Sequence, residues 1–90
     1  MSIETSVTYD NDTLEVLSVY WTFARGKVYR THGIDDWTNI DVDKKGRVLG
    51  IEMLEPGRVT QAMLRKAAKK FNEPRLTLLR PKKAAAMVAG

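Results

Sequence analysis

The chain has 90 residues and a mass of 10.2 kDa, enough for one small domain and too little for two cores. It contains no cysteine and one histidine, which excludes disulfides, thiolate metal sites, a cysteine nucleophile and histidine-rich zinc sites. No apolar run approaches the roughly 18 residues of a membrane span, and residues 1–12 lack the basic and apolar regions of a secretory leader. We therefore expect a cytoplasmic protein with no membrane contact.

The net charge of +4 combines two segments of opposite sign. Residues 1–57 contain six basic and ten acidic side chains, a net charge of −4, whereas residues 58–90 contain nine basic side chains and one acidic, a net charge of +8. The boundary coincides with the turn-forming pair Pro56-Gly57. So dense a basic segment is typical of binding to a polyanion or an acidic surface, but a solvated helix face has the same composition.

Two β-prone stretches begin the chain. Residues 7–9 are followed by residues 10–12 (Asp-Asn-Asp), whose side chains favour a tight turn. Residues 14–23 form a longer strand in which the apolar alternation changes phase near Leu17. This change of phase predicts a bulge or a bend in the strand.

The middle of the chain predicts two hairpins. A turn at Arg25-Gly26 leads into a return strand at residues 28–32, because glycine adopts the left-handed conformation without a steric penalty. Residues 37–43 and 48–54 then alternate with strand period on either side of Gly46. That spacing predicts a type I turn with Gly46 left-handed in a G1 bulge.

The apolar period changes after Pro56. Thr60 is placed to cap a helix, and Pro74 is expected to end it. The helix carries an apolar stripe at helical spacing, formed by Leu64, Ala67, Ala68 and Phe71. Residues 76–79 are apolar and short, which predicts an edge strand, and residues 82–90 are expected to form a basic, flexible tail.

These elements predict an α+β fold, a small antiparallel sheet of four to five strands and two hairpins with one C-terminal amphipathic helix. Residues 1–81 form the single domain. Gly50, inside the last strand of the second hairpin, predicts a bulge or a close backbone approach. Because so short a chain buries little apolar surface, a homodimer through an aromatic sheet face of Trp21, Phe23 and Tyr29 is also expected.

Three segments resemble a known bacterial family, the domain of unknown function family numbered 2283. They are VTYD at residues 7–10, TLEVLSV at residues 13–19 and NIDVDKKGRVLGIEML at residues 39–54. The resemblance covers about residues 7–55, and its hairpin motif rests on Val42, Asp43, Gly46, Gly50, Ile51, Glu52 and Leu54. It implies the fold, a small bacterial or phage protein and no assigned activity. Small uncharacterised proteins of this kind resemble partner-binding components, including antitoxin-like ones.

Two patterns invite a chemical interpretation, and neither favours an enzyme or a cofactor. The first is the spacing of a calcium-binding loop, formed by Asp41, Asp43, Gly46, Val48 and Glu52. Calcium binding is not favoured, because Lys45 occupies a position where the ion needs an oxygen ligand and because strands, not helices, flank the loop. The second is His32, which titrates near neutrality and is followed by Asp35 and Asp36. Catalysis there would require a nucleophile such as Ser18, Thr31 or Thr38. We expect no catalytic residue, no metal and no cofactor.

The basic helix is the best functional signal. Arg65, Lys66, Lys69 and Lys70 form one continuous cationic strip, which Arg75, Arg80, Lys82 and Lys83 extend. We expect a non-enzymatic interaction module, antitoxin-like or inhibitor-like, that binds an acidic protein partner through this strip, through the aromatic sheet face, or through both. The alternative is a nucleic-acid-binding accessory protein that uses the same basic residues. The predicted partner-binding residues are Arg65, Lys66, Lys69, Lys70, Arg75, Arg80 and Trp21.

Overall fold

The computed structural model describes residues 3–86 and contains one five-stranded antiparallel sheet. The strands are β1 (Glu4–Tyr9), β2 (Val16–Thr22), β3 (Arg30–Asp35), β4 (Thr38–Val42) and β5 (Val48–Met53). Two helices follow, α1 (Gln61–Lys70) and α2 (Pro81–Ala86), with 3-10 turns at Pro56–Arg58 and Pro74–Leu78. The predicted α+β class is therefore confirmed. No helix in the described part of the chain is long and apolar enough to cross a membrane.

One face of the sheet forms the core with the helical layer. Ile40 of β4 pairs with Ile51 of β5, Val19 of β2 pairs with Met53 of β5, and all four side chains are completely buried. Leu64 of α1 and Leu76 of the second 3-10 turn close this core from the other side. The opposite sheet face carries no helix among residues 3–86, and its side chains are polar or glycine.

The hairpin between β1 and β2 contains the predicted irregularity. Thr8 pairs with Ser18, but Tyr9 pairs with Val16, so Leu17 is the extra residue of a bulge in β2. Leu17 is half exposed because the bulge turns it away from the core. The phase change in the sequence therefore identified the bulge correctly.

The hairpin between β4 and β5 has the predicted turn. Gly46 is left-handed at φ 82°, and its N–H donates to the carbonyl of Asp43 at 3.0 Å. The Asp43 carboxylate accepts from the backbone N–H groups of Lys45 and Arg47, both at 2.9 Å. A second bulge follows, since Asp41 pairs with Gly50 but Val42 pairs with Val48.

The first predicted hairpin is wrong. The strand order is β1-β2-β5-β4-β3, so β5 and β4 lie between β2 and β3. The segment that contains Arg25 and Gly26 is a crossover of Greek-key type, not a turn. It runs across the ends of β5 and β4, and the N–H groups of Phe23 and Tyr29 donate to the carbonyls of Leu49 and Val42. A Cβ atom at position 26 would lie 3.1 Å from a terminal methyl group of Leu49, a contact that a small shift of that side chain can relieve.

Helix α1 begins where the sequence predicts and ends before Pro74. Thr60 caps it by accepting from the N–H of Met63 at 3.2 Å. Asn72 is left-handed at φ 51°, and the N–H groups of Asn72 and Glu73 donate to the carbonyls of Lys69 and Ala68. These two bonds form a Schellman motif, which ends the helix at Lys70, four residues before the proline.

The C-terminal third differs from two predictions. Residues 76–79 are not an edge strand, because Pro74 begins a 3-10 turn that buries Leu76 and Leu79 in the core. Residues 82–86, expected in the flexible tail, form most of α2, whose Ala84 is buried. Alternating prolines and small apolar residues favour such short turns over a strand. The rest of the expected tail, residues 87–90, lies outside the described residues.

Candidate functional site

The solvent face of α1 carries the cations that the sequence singled out. Arg65, Lys66, Lys69 and Lys70 are all exposed, whereas Leu64 on the opposite side is completely buried. At 3.6 residues per turn the four cations share one arc of the helix surface. None of them forms an ion pair or a hydrogen bond with another side chain of residues 3–86. Their charges are therefore uncompensated and available to a partner.

Helix α2 adds two cations beside the N-terminus of α1. Lys82 and Lys83 are exposed, and they line a cleft of about 370 Å³ together with Thr60 and Gln61. The Gln61 side chain donates to the carbonyl of Leu79 at 2.9 Å, which fixes the two helical segments against each other. We call the exposed cations of the two helices together the cationic face: Arg65, Lys66, Lys69, Lys70, Lys82 and Lys83.

Arg75 does not belong to the cationic face. Its guanidinium pairs with Glu73 at 2.6 Å, lies 5.1 Å from the ring centre of Phe23 and donates to the Phe23 carbonyl. The hydrogen bond from Arg75 holds the pKa of Glu73 below its usual value, and Glu73 in turn raises the pKa of Arg75. Arg75 therefore ties the second 3-10 turn to the end of β2, a structural role.

Arg80 is exposed and directly precedes α2. Its Nη1 donates to the carbonyls of Thr77 and Leu79, at 3.2 and 3.0 Å, so the guanidinium is held by the turn that precedes it. It lines both the cleft beside Thr60 and a second groove beside β1.

The aromatic sheet face predicted for a partner or a dimer is wrong in its composition. Trp21 is 5% exposed and Phe23 1% exposed, because both lie on the face that the helices cover. Tyr29 alone is on the surface, at 62% exposure, in the crossover segment. These three side chains cannot form one contact surface in this fold.

The uncovered sheet face contains a hydrogen-bonded cluster that the sequence did not reveal. The Tyr20 hydroxyl donates to Asp41 at 2.7 Å, and the Thr31 hydroxyl donates to the other oxygen of Asp41 at 2.5 Å. Burial, together with this bond to Asp41, raises the pKa of Tyr20. The ring of Tyr20 lies across Gly50, which explains the glycine as a close approach. The signal was missed because the sequence predicted the β4–β5 hairpin but not the pairing of β2 with β5, which brings Tyr20 beside Gly50 and Asp41.

The residues considered for catalysis or calcium have other contacts. The His32 ring packs on Phe71 at 5.3 Å between ring centres, and no hydrogen bond within residues 3–86 joins it to an acid or a hydroxyl. Asp35 accepts from the N–H of Trp37 in the turn between β3 and β4. Asp43 is bonded to Arg47, whose backbone N–H lowers the pKa of Asp43. The described residues contain no group of three or more acidic or histidine side chains arranged to hold a metal ion.

A third depression lies between the β4–β5 turn and the end of α1. It encloses about 580 Å³ and has an apolar floor of Val48, Leu49 and Phe71. Its two carboxylates, Asp43 and Glu73, are already bonded to arginine side chains.

Comparison with known families finds one match. A family model described as "Protein of unknown function (DUF2283)" matches residues 6–55, from β1 to just after β5. No curated protein and no solved structure matches the chain. The match ends before α1, so the cationic face lies outside it. Since the matched region is more than half of the 90 residues, the chain belongs to the DUF2283 family.

Proposed function

We propose that this protein is a non-enzymatic interaction module of the cytoplasm whose cationic face binds an acidic surface of a protein partner. It would act as antitoxin-like or inhibitor-like proteins do, by covering part of that partner. One observation carries the proposal: six exposed cations on two adjoining helices have no carboxylate partner in the described structure.

The distribution of the remaining charges supports this interpretation. Arg47, Arg58 and Arg75 pair with Asp43, Glu55 and Glu73, at the ends of local turns. Asp41 lies on the sheet face opposite the helices and accepts hydrogen bonds from Tyr20 and Thr31. The cations of α1 and α2 therefore lie apart from these acids, an arrangement that steers association with an acidic partner.

A protein partner is favoured over nucleic acid by the side chains of the cationic face. Its residues are lysines and one arginine, which position phosphates but offer no aromatic ring on which a base could stack. Within residues 3–86, α1 also has no second helix beside it in the helix-turn-helix arrangement that places a helix in the major groove of DNA.

Capture from a cell extract tests the proposal. The variant Arg65→Gln, Lys66→Gln, Lys69→Gln, Lys70→Gln keeps helix propensity and removes four charges. It should fold as the parent does and lose most of the captured protein. Capture by the parent should weaken with salt, since exposed charges are screened within about 10 Å at 0.1 M.

Nuclease treatment of the extract separates the two classes of partner. We expect capture to persist after complete digestion of DNA and RNA. Capture that disappears after digestion would show that the cationic face binds nucleic acid, and the proposed protein partner would then be wrong.

A further inference from the structure

One edge of the sheet is open for the addition of a strand. β1 pairs with β2 along all six of its residues, and no strand of residues 3–86 covers its other side. It therefore presents a row of unpaired backbone N–H and C=O groups. β1 contains one charge, at Glu4, and neither proline nor lysine, the residues that usually protect an edge. The opposite edge, β3, is interrupted by a register shift between Gly33 and Asp35.

A groove of about 260 Å³ adjoins this edge on the helical side of the sheet. Its apolar lining comes from Trp21 of β2 and from Leu78 and Leu79 of the second 3-10 turn. Thr5 of β1 also lines it, and Thr5 pairs with Trp21. Leu78 is 64% exposed, a large apolar side chain with little cover in the described structure. A side chain opposite Thr5 on an added strand would enter this groove, because paired residues share a face.

Two cations complete the lining of the groove and indicate the charge of its occupant. Arg80 is held in place by the carbonyls of Thr77 and Leu79, and neither Arg80 nor Lys83 pairs with a carboxylate among residues 3–86. A guanidinium already fixed by its own turn binds a carboxylate at a smaller entropic cost than a free one.

We propose that β1 accepts an extended acidic segment of a protein partner as a sixth strand. An apolar side chain of that segment fills the groove beside Leu78, and an acidic side chain two residues away on the same face contacts Arg80 and Lys83. Backbone hydrogen bonds to β1 supply affinity, while the groove and its cations supply specificity. The inference rests on the proposed function for the acidic protein partner, and it names the mode of binding.

A synthetic peptide tests this site without knowledge of the partner. The probe is the acetylated and amidated heptapeptide Thr-Val-Thr-Glu-Thr-Val-Thr, whose valines and glutamate share one face when extended. One control peptide has lysine in place of the glutamate. The other keeps the probe sequence but carries N-methyl groups on alternate backbone nitrogens. In titrations of ¹⁵N-labelled full-length protein, the probe should shift the amide resonances of residues 4–9 and slow their hydrogen exchange. The N-methylated peptide should cause neither change.

Substitution of Leu78 gives a reciprocal test, because so exposed a side chain can be replaced without unfolding the protein. Leu78→Glu should lower the affinity for the glutamate probe about tenfold, and this variant should bind the lysine peptide more tightly than the parent does. Leu78→Lys should have the opposite preference between the two peptides. Equal binding of both peptides by all three proteins would overturn the assignment of Arg80 and Lys83.

Three results would overturn the proposal as a whole. The first is the absence of resonance shifts in β1 at a millimolar concentration of the probe, and the second is binding of the N-methylated peptide as tightly as the probe. The third is binding of the probe only after residues 87–90 are deleted, which would show that these residues occupy the edge of β1. The four-glutamine variant of α1 should bind the probe as the parent does. Failure of the probe to bind would therefore contradict the strand-addition site but not the capture of a partner by the cationic face. Loss of capture by the four-glutamine variant would test the cationic face and would not change the result for β1.

Discussion

Gly50 is the residue whose role depends most directly on its neighbours. A Cβ atom at this position would overlap the hydroxyl and ring of Tyr20, which lies across the strand to reach Asp41. Any side chain at position 50 must therefore displace Tyr20 and break its bond to Asp41. The glycine is therefore required by a side chain from another strand, the Tyr20 ring of β2, and not by the backbone conformation of β5 itself.

A double-mutant cycle tests this role of Gly50. Gly50→Ala should lower the free energy of unfolding by about 2 kcal/mol or more, since the overlap strains a well-packed contact. The same substitution in a Tyr20→Ala background should cost at least 1 kcal/mol less, because the obstructing ring is gone. Urea unfolding of the four proteins gives the coupling. Equal costs in the two backgrounds would show that Tyr20 is not what requires the glycine.

Gly46 is required for a different reason, its left-handed backbone. Nothing lies within 4 Å of a Cβ built at Gly46, so only the φ of 82° opposes a side chain. Gly46→Ala should therefore lower the free energy of unfolding by about 1 kcal/mol. Gly57→Ala is the matched control, because Gly57 has equal space and no positive φ, and it should change stability little. Equal effects on the urea midpoint would contradict the turn geometry.

The ion pair of Glu73 and Arg75 predicts a dependence on pH. The pKa of Glu73 is lowered from 4.5 by the hydrogen bond from Arg75, so the pair stabilises the fold at pH values above the unfolded pKa. This contribution is lost as the pH falls through the lower, folded pKa. Glu73→Gln should therefore be less stable than the parent at pH 7, and the difference should shrink at pH 3.5. Glu55→Gln, which removes an exposed ion pair with Arg58, is the control and should have little effect. A difference for Glu73→Gln that is the same at both pH values would contradict the account.

At the scale of elements, the sequence predicted the features that depend on residues close together in the chain. The bulge at Leu17, the turn at Gly46, the Thr60 cap and the buried stripe of α1 each depend on residues within one helix turn or one hairpin. The position of β5 between β2 and β4 does not, since it depends on long-range pairing. Arg25-Gly26 has the composition of a turn but belongs to the crossover, because the turn chemistry says nothing about which strand comes next.

The end of α1 gives a prediction at the same scale. Asn72 occupies the left-handed position of the Schellman motif at φ 51°, where glycine is free of strain. Asn72→Gly should keep or raise the free energy of unfolding, and Asn72→Ala should lower it by about 1 kcal/mol. Lys66→Gly, inside the same helix, should instead lower it by about 1 kcal/mol. Thermal unfolding measures all three, and alanine as stable as glycine at position 72 would contradict the motif.

For the whole molecule, the sequence predicted the position of the free charge better than the shape of the site. The boundary near Pro56 separates the acidic sheet from the helices, and α1 and α2 carry the exposed cations Lys66, Lys69, Lys82 and Lys83. Arg75 was grouped with them because composition does not reveal the pairing with Glu73. Trp21 was placed on a surface because strand alternation alone does not show which face the helices cover.

The measurement that tests the account most directly compares two variants of equal net charge against the protein captured by the parent. One is the four-glutamine variant of α1, and the other replaces four exposed, unpaired cations of the sheet and its connections by glutamine: Arg25, Lys27, Arg30 and Lys44. After nuclease treatment, and in 0.1 M salt, the account predicts that the α1 variant loses at least tenfold in affinity and that the other variant stays within about twofold of the parent. Equal losses in the two variants would show that net charge, and not the cationic face, binds the partner.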